Sequence, residues 1–575
     1  MERLETKKIN GHTYYYYSKW AWVDGKCRRV WQKYLGKLED WAPAIGTAPK
    51  ALYAEVFGFG LPAALWLEIQ RQQIVQTVNE LCPKRAQGLS IGEYVAIAAA
   101  NRACEPVSKN AMWDWFNATV LRRLLPAADR AALSSQRFWD HMDGIEQERI
   151  PEIWKRLVGE CLKREGVEPQ QVCYDGTNFY TFIGTFNSQC EIARRGKNKQ
   201  GRNNLRQVSY AVFCSKEEQI PLYFDVYPGN RNDAPEFASM VERFSEFLDT
   251  LTHTDSVSHK ANVTLVFDKG NNSARNIALL DTQKLHFIGS VKLDEHKEVA
   301  AISNKDTRFT ACQAEDLSQV KAFRDKKEVY GKLRTMVVCF NQRLFTQQWL
   351  TLNNDIAKAL KKLEELRERL DDRAKGLIKG GKAPTVAGLE KKVAAILSRP
   401  FLKNIVTITI NPAGPTLSFE VNTRRVEEIA DTYLGKKLLI TTRSEWSNEE
   451  IIQAYHGQYV VEHLFRQMKD RSHGSWWPLH HWTTQKIWVH GLYCTIAALL
   501  HALLRRRTRR AGLQLSHKRL IEELTGIQEV VNVFKRPGRG KRNPSQTVLT
   551  KCGEVQQKLV EILHLKEALP DYVPV

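Results

Sequence analysis

Asp175 closes the run QVCYD, Asp268 follows the apolar strand run VTLVF, and Glu462 lies on an amphipathic helix that follows a third strand-like run, KLLITTRS. A carboxylate at the end of a strand buried on both faces is costly unless it is paired, hydrogen-bonded or bound to a cation. Two strands and one helix that each deliver a carboxylate supply the hard oxygen ligands of a two-metal site. Such a site holds Mg2+ ions about 3.5–4 Å apart across a phosphodiester, with Mn2+ as a substitute. One ion activates a water or a 3′-hydroxyl and the other stabilises the leaving oxygen. Each aspartate taken alone also fits a cap at a strand end, because Asp268 precedes a Gly/Asn turn that could open the next helix.

The helix carrying the glutamate reads YHGQYVVEHLFRQMKD, Tyr455 to Asp470. Upstream, SNEE places Ser447 as N-cap and Glu450 three residues on, a capping box. At about 100° per residue, Val461, Leu464, Phe465 and Met468 gather on one face. Tyr455, Gln458, Tyr459, Glu462, Arg466 and Lys469 form a narrow polar band beside it. Two readings of that band stay open from the helix alone. It is a solvated face with a Glu462–Arg466 ion pair, or it is a second, functional face.

The elements that must position these residues belong to a long, basic chain. At 575 residues it exceeds a single core and divides into about three or four domains. Lys and Arg outnumber Asp and Glu by 85 to 64, a net charge of +21. That excess favours a polyanionic partner, nucleic acid before an anionic membrane surface, because each phosphate contact releases condensed counterions. The eleven cysteines are scattered, with no C-x-x-C pair, which fits reduced thiols in a cytoplasmic protein and excludes a zinc site at standard spacing. The first residues, MERLETKKINGHTYYYYSK, lack the apolar segment of a signal peptide. The run IWVHGLYCTIAALLHALL, 487–504, is interrupted by His490 and His501 and reads as a buried core helix, so no membrane partner is expected.

Along the chain, residues 1–60 form a β-hairpin region around VDGK, and 61–168 a helical domain with possible DNA binding. Within it, PVSKNAMWDWF opens either a helix-turn-helix or plain helix packing. Short apolar strands alternate with helices over 169–294, an α/β pattern. Residues 295–436 interrupt it as a self-contained insertion, a helical hairpin plus β, with Ile356, Leu360, Leu363, Leu366 and Leu370 on the helix seam. The core resumes over 437–510, and 511–575 is a helical tail with the basic loop KRPGRGKR. Another basic stretch, RRGKNKQGRNNLR, carries Arg194, Arg195, Lys197 and Arg202 between two core strands, either against DNA or as a solvated loop.

The order strand-Asp, strand-Asp, helix-Glu resembles the DDE transposases of bacterial insertion sequences. The likeness is sharpest at the signature Y-x2-R-x3-E-x6-K, which here reads Tyr455, Gln458, Glu462 and Lys469, three matches of four at the right spacing. Flanking stretches YDGTNFYTF, VFDKGNNS and IWVHGLYCTIAALLHALL are similar to that group too, so the resemblance covers most of 170–505. It implies a multidomain α/β chain whose catalytic core is RNase H-like, a mixed sheet with a large insertion before the last core helix. It implies Asp175, Asp268 and Glu462 as catalytic and metal ligands for two Mg2+ ions. It implies double-stranded DNA as partner, at the element's terminal inverted repeats and the target, in a homodimer or larger assembly. Tyr455, Gln458, Arg466 and Lys469 would flank the metal site and hold the strand being cut. Gln458 replaces the signature Arg, a neutral hydrogen bond in place of a charge-assisted one, and Arg466 either restores that charge or pairs with Glu462. Two other readings stay open: a transposase-derived DNA-binding protein without catalysis, and an RNase H-like nuclease that cuts without joining.

Overall fold

A nine-stranded mixed sheet frames the computed structural model, which describes residues 2–23, 26–38, 50–84, 87–198, 201–231, 233–251, 262–378, 380–381, 384–411, 416–535 and 543–570. The chain divides into two units. One comprises Met1–Leu67, Asp114–Pro126 and Arg507–Val575, the other Glu68–Trp113 and Ala127–Arg506.

The first unit opens with β1 (Glu2–Ile9), β2 (His12–Val23) and β3 (Lys26–Gly36), an antiparallel three-stranded sheet. The expected hairpin is the β2–β3 pair, and the VDGK turn residues Asp24 and Gly25 lie outside the described residues. β4 (Ala51–Gly58) follows.

The second unit holds the large sheet. One side of it is built from β5 (Gln171–Tyr180), β6 (Gln207–Ser215), β7 (Pro221–Pro228), β8 (Thr264–Phe267) and β9 (His286–Val291), with β7 at the edge. β5, β6 and β7 form an antiparallel meander, while β5, β8 and β9 run parallel, in the order β7-β6-β5-β8-β9. Helices Asp233–Leu251 and Ala274–Thr282 lead into the two parallel strands that follow β7. This is the RNase H-like arrangement. Every residue of β6 and β8 is buried, as expected of strands covered on both faces. One correction concerns β5. The sequence reading closes the strand at Asp175, yet β6 pairs with all of Val172–Tyr180, so Asp175 stands mid-strand and not at its end.

Residues 295–436 are only partly self-contained. The helices Gln342–Ala374, Val386–Ile396 and Thr423–Tyr433 pack with the hairpin β13 (Val406–Asn411) and β14 (Thr416–Val421) around their own apolar core. Ile356, Leu363 and Leu370 of the expected seam are buried there, with Leu360 and Leu366 partly so. The preceding strands β10 (Thr310–Ala311), β11 (Val320–Val329) and β12 (Lys332–Asn341) instead extend the main sheet. β12 pairs antiparallel with β15 (Lys436–Thr441), and β15 pairs with β9. Local alternation marks β11 and β12 as strands but cannot say which sheet they join, because pairing partners are set by distant segments.

The apolar run 487–504 is the middle of the helix Thr484–Arg510 and its membrane-length window is entirely buried, a core helix. The tail of the first unit corrects another expectation. Beyond the helix His517–Thr525 it carries β16 (Gln528–Phe534) and β17 (Ser545–Leu549), and β16 pairs with both β17 and β4. The alternation in QEVVNVF was the overlooked signal. Most of the basic loop KRPGRGKR, 536–542, lies outside the described residues.

Candidate active site

β5 and β8 pair in parallel with Tyr174 opposite Phe267 as the last paired residues. One step further, Asp175 on β5 faces Asp268, whose backbone is still extended at φ −76° and ψ 156°. Neighbouring strands lie about 4.8 Å apart, and residues at equal height in a parallel pair point to the same face. The two carboxylates therefore stand side by side. Asp175 is half-buried and accepts the Gly176 N–H on Oδ1 at 2.8 Å. Asp268 is exposed and makes no side-chain cap bond to the turn it precedes. The cap of the next helix is Ser273, which accepts the Asn276 N–H at 3.1 Å. The simple capping role considered for Asp268 is thus filled by another residue.

Glu462 stands on the helix Tyr459–Lys469, distinct from the helix Asn448–His456 that carries the Ser447–Glu450 capping box. The break falls at Gly457. A β-carbon there would lie 2.7 Å from Lys216 Cδ and 2.9 Å from the Ala454 carbonyl oxygen, so the turn packs closer than a side chain permits. The Cys173 thiol donates to the Gly457 carbonyl at 3.4 Å, and the Lys469 ammonium donates to Thr177 Oγ1. Between these anchors the eleven-residue helix, about 16 Å long, runs alongside four residues of strand, about 13 Å. Glu462, in the first turn of the helix, lies a little under half-way from the Gly457 anchor to the Lys469 anchor and so falls about level with Asp175, and Cys173, Asp175 and Thr177 share one face of β5. Glu462 also lies seven residues from Lys469, hence on nearly the same side of its helix.

Among the described residues, no three His, Cys, Asp or Glu side chains stand close enough together to hold a metal ion. The strand register sets Asp175 beside Asp268, and the three carboxylates do not gather into one group. As a test of fit, the aspartate pair has the chemistry Mg2+ asks for, since that ion commonly takes one or two carboxylates and completes its shell with water and phosphate oxygens.

Tyr455 departs from the expected exposed polar band. It ends the preceding helix and is only 5% exposed. The Lys437 ammonium sits 4.8 Å from its ring centroid, and burial pushes its phenol up to about 12. Lys437, which sequence reasoning missed, has its ammonium lowered by burial, while the nearby Asp268 charge opposes that effect. Its only sequence mark was a lysine entering an apolar strand. The considered Glu462–Arg466 ion pair does not form, and both side chains are exposed. Gln458 is half-buried at the helix start.

Residues 168–500, more than half of the chain, match the family model for the transposase DDE domain. The chain belongs to the DDE transposase family. None of the curated proteins compared with it matches. Among solved structures it is similar to the piggyBac transposase synaptic complex with hairpin DNA, at 11% identity and a TM-score of 0.34, over 81% of this chain and 80% of that one. A second is the Mos1 transposase paired-end complex with the left transposon end, at 12% identity and a TM-score of 0.15, over 32% of this chain and 59% of that one.

In this transposase the β5–β6 loop is organised by Arg206, a residue the sequence did not single out. Its guanidinium donates to the carbonyls of Gly184, Asn187, Cys190 and Ala193 at 2.6–3.0 Å. On that frame Arg194, Arg195, Lys197 and Arg202 are all exposed. Arg194 Nε donates to the Glu191 carbonyl at 2.7 Å, Arg195 to Thr185 Oγ1 at 3.1 Å, and Arg202 lies 4.7 Å from the Tyr180 ring centroid. Phe182 and Phe186 are exposed in the same loop. In SWWPLHHW, 475–482, Trp476 and Trp477 are buried, with Trp476 stacked on Phe179 at 4.4 Å, while Trp482 is exposed.

Proposed function

We propose that this DDE transposase is encoded by a bacterial insertion sequence, acts in the cytoplasm, and cuts and joins DNA through Asp175, Asp268 and Glu462. The observation that carries the reading is the parallel register of β5 and β8, which sets Asp175 beside Asp268 with the Glu462 helix level with them. The Y-x2-Q-x3-E-x6-K spacing supports the insertion-sequence assignment.

Asp175 and Asp268 would hold Mg2+, with Glu462 completing the set from the helix packed beside β5. Bound there, the ions would supply Lewis acidity, lowering the pKa of a water or 3′-hydroxyl and stabilising the leaving oxygen. The chain's own residues do the positioning. The Gly176 N–H fixes the Asp175 carboxylate. Lys469, tethered to β5 through Thr177, points an ammonium along the side of the helix that Glu462 occupies. Arg466, without an ion pair to Glu462, offers its guanidinium to a phosphate of the strand being cut, in place of the signature Arg that Gln458 replaces. Tyr455, buried, shapes the wall behind Asp268 and does not reach DNA. The exposed cations of the β5–β6 loop extend the phosphate-binding surface. Two copies synapsed on the element's inverted repeats would present both ends to target DNA.

The test is cleavage and joining of a labelled element end. Asp175→Asn, Asp268→Asn and Glu462→Gln are each expected to abolish cleavage in Mg2+ while end binding persists. Full cleavage by all three would overturn the proposal, and cleavage without joined products would favour a nuclease.

A further inference from the structure

Outside the candidate site, two cations lie buried in the second unit without a carboxylate. Arg102, in the last turn of the helix Ile91–Cys104, is 2% exposed, and Lys109, at the start of a single 3-10 turn, is 8% exposed. Arg102 Nη2 donates to the Val107 carbonyl at 3.0 Å, but its Nε and Nη1 and the Lys109 Nζ have no hydrogen-bond partner. Both charges lie against the ring of Tyr493, with Lys109 Nζ 4.5 Å and Arg102 Cζ 6.0 Å from its centroid. Neither makes an ion pair among the described residues.

The surrounding polar groups cannot neutralise them. The His490 Nε2–H donates to the Trp476 carbonyl at 2.7 Å, so its Nδ1 accepts the Tyr493 hydroxyl at 2.6 Å. The Tyr493 oxygen in turn accepts His481 Nε2–H at 3.1 Å. That chain is neutral throughout: burial holds both imidazoles well below their usual range and the Tyr493 phenol well above its own. Cys494, also close by, is held as a thiol by burial. Burial and the neighbouring Arg102 charge push the Lys109 ammonium well below its usual range, as expected of a cation whose counter-charge is missing from the protein. An unpaired buried charge is among the costliest features a fold can carry.

We infer that Arg102 and Lys109 form an internal binding site for a small monatomic anion of the chloride class. Three N–H-bearing nitrogens of two cations, with no acceptor assigned to them, are the complement of a halide. A DNA phosphate is ruled out as occupant, because the groups are sealed from solvent and a phosphate in a polymer cannot enter. The anion would tie the end of Ile91–Cys104 and the Lys109 turn to the core helix Thr484–Arg510.

Crystals of the full chain soaked in sodium bromide give the direct test. A bromide anomalous peak is expected within contact of Arg102 and Lys109, and absent in Lys109→Met. In solution, wild-type protein should unfold a few degrees higher in potassium chloride than in potassium gluconate at equal ionic strength, and Lys109→Met should lose that difference. Equal unfolding temperatures in the two salts together with no bromide peak would overturn the inference. Neither readout involves DNA cleavage, so the outcome is independent of the proposed catalytic function.

Discussion

Thr177→Val isolates the tether that sets the Lys469 ammonium beside the candidate site. Thr177 is 3% exposed on β5 and accepts the Lys469 N–H. Valine keeps the branched shape and suits a strand, so the variant should fold with little change in unfolding temperature. What it loses is one hydrogen bond to a charged group, worth about 1.5–3 kcal/mol when fully buried. Lys469 is half-exposed, so water recovers part of that and the lower end, about 1.5 kcal/mol, is the better figure. If Lys469 must be held in place when the phosphodiester is attacked, that loss appears as about a tenfold slower cleavage. The assay is single-turnover cleavage of a labelled element end at saturating protein, with end binding followed separately. The expected result is slower cleavage, unchanged binding, and recovery in Thr177→Ser, which restores the acceptor. Cleavage at the wild-type rate in Thr177→Val would refute the positioning role. Failure of Thr177→Ser to recover would assign the effect to packing near Phe179, whose ring lies 5.9 Å from the Lys469 nitrogen.

Other consequences are open to measurement. Asp225, buried on β7 beside Arg243 and Glu236, has its carboxyl pushed up to about 6, mainly by burial and against the pull of Arg243. A carboxyl whose folded value is raised takes up its proton in the folded state first, so its contribution to stability falls as pH rises from about 4 to about 6; Asp225→Asn should remove that slope from a series of unfolding temperatures across the window. Leu363, fully buried at the heart of the insertion core, should cost about 2–5 kcal/mol as Leu363→Ala in denaturant unfolding. Arg206→Ala should release the four carbonyls that shape the β5–β6 loop and weaken DNA binding without changing the unfolding of the central sheet, seen as a higher Kd for a labelled duplex.

How far the sequence could be read depended on how local each cause was. The run VTLVF, apolar at four of its five positions, announces a strand covered on both faces because burial explains apolar residues that do not alternate with polar ones. The Ser447–Glu450 capping box is likewise local and is found in place. The break at Gly457 was not legible, because the periodicity of YHGQYVVEHLFRQMKD runs on in phase across it. The side chain that packs against it is Lys216, more than two hundred residues earlier in the chain. The same break swings Tyr455 into the interior, where helical angle alone had put it beside Glu462. Thr177 as the partner of Lys469 and Arg206 as the organiser of its loop were invisible for a related reason: a hydrogen bond between distant segments leaves no pattern in either one.

The pairing of β12 with β15 makes the insertion part of the scaffold. An engineer wishing to trim this protein to a minimal catalytic core would find no clean cut at 295–436. Excising that span would strip Leu438, Leu439 and Ile440 of their partners Val338, Val337 and Met336. The result would be a long, apolar, unpaired sheet edge, a template for strand addition between molecules. Truncations should therefore keep β11 and β12 and remove only the helical lobe beyond Asn341, rejoining the chain at Lys436.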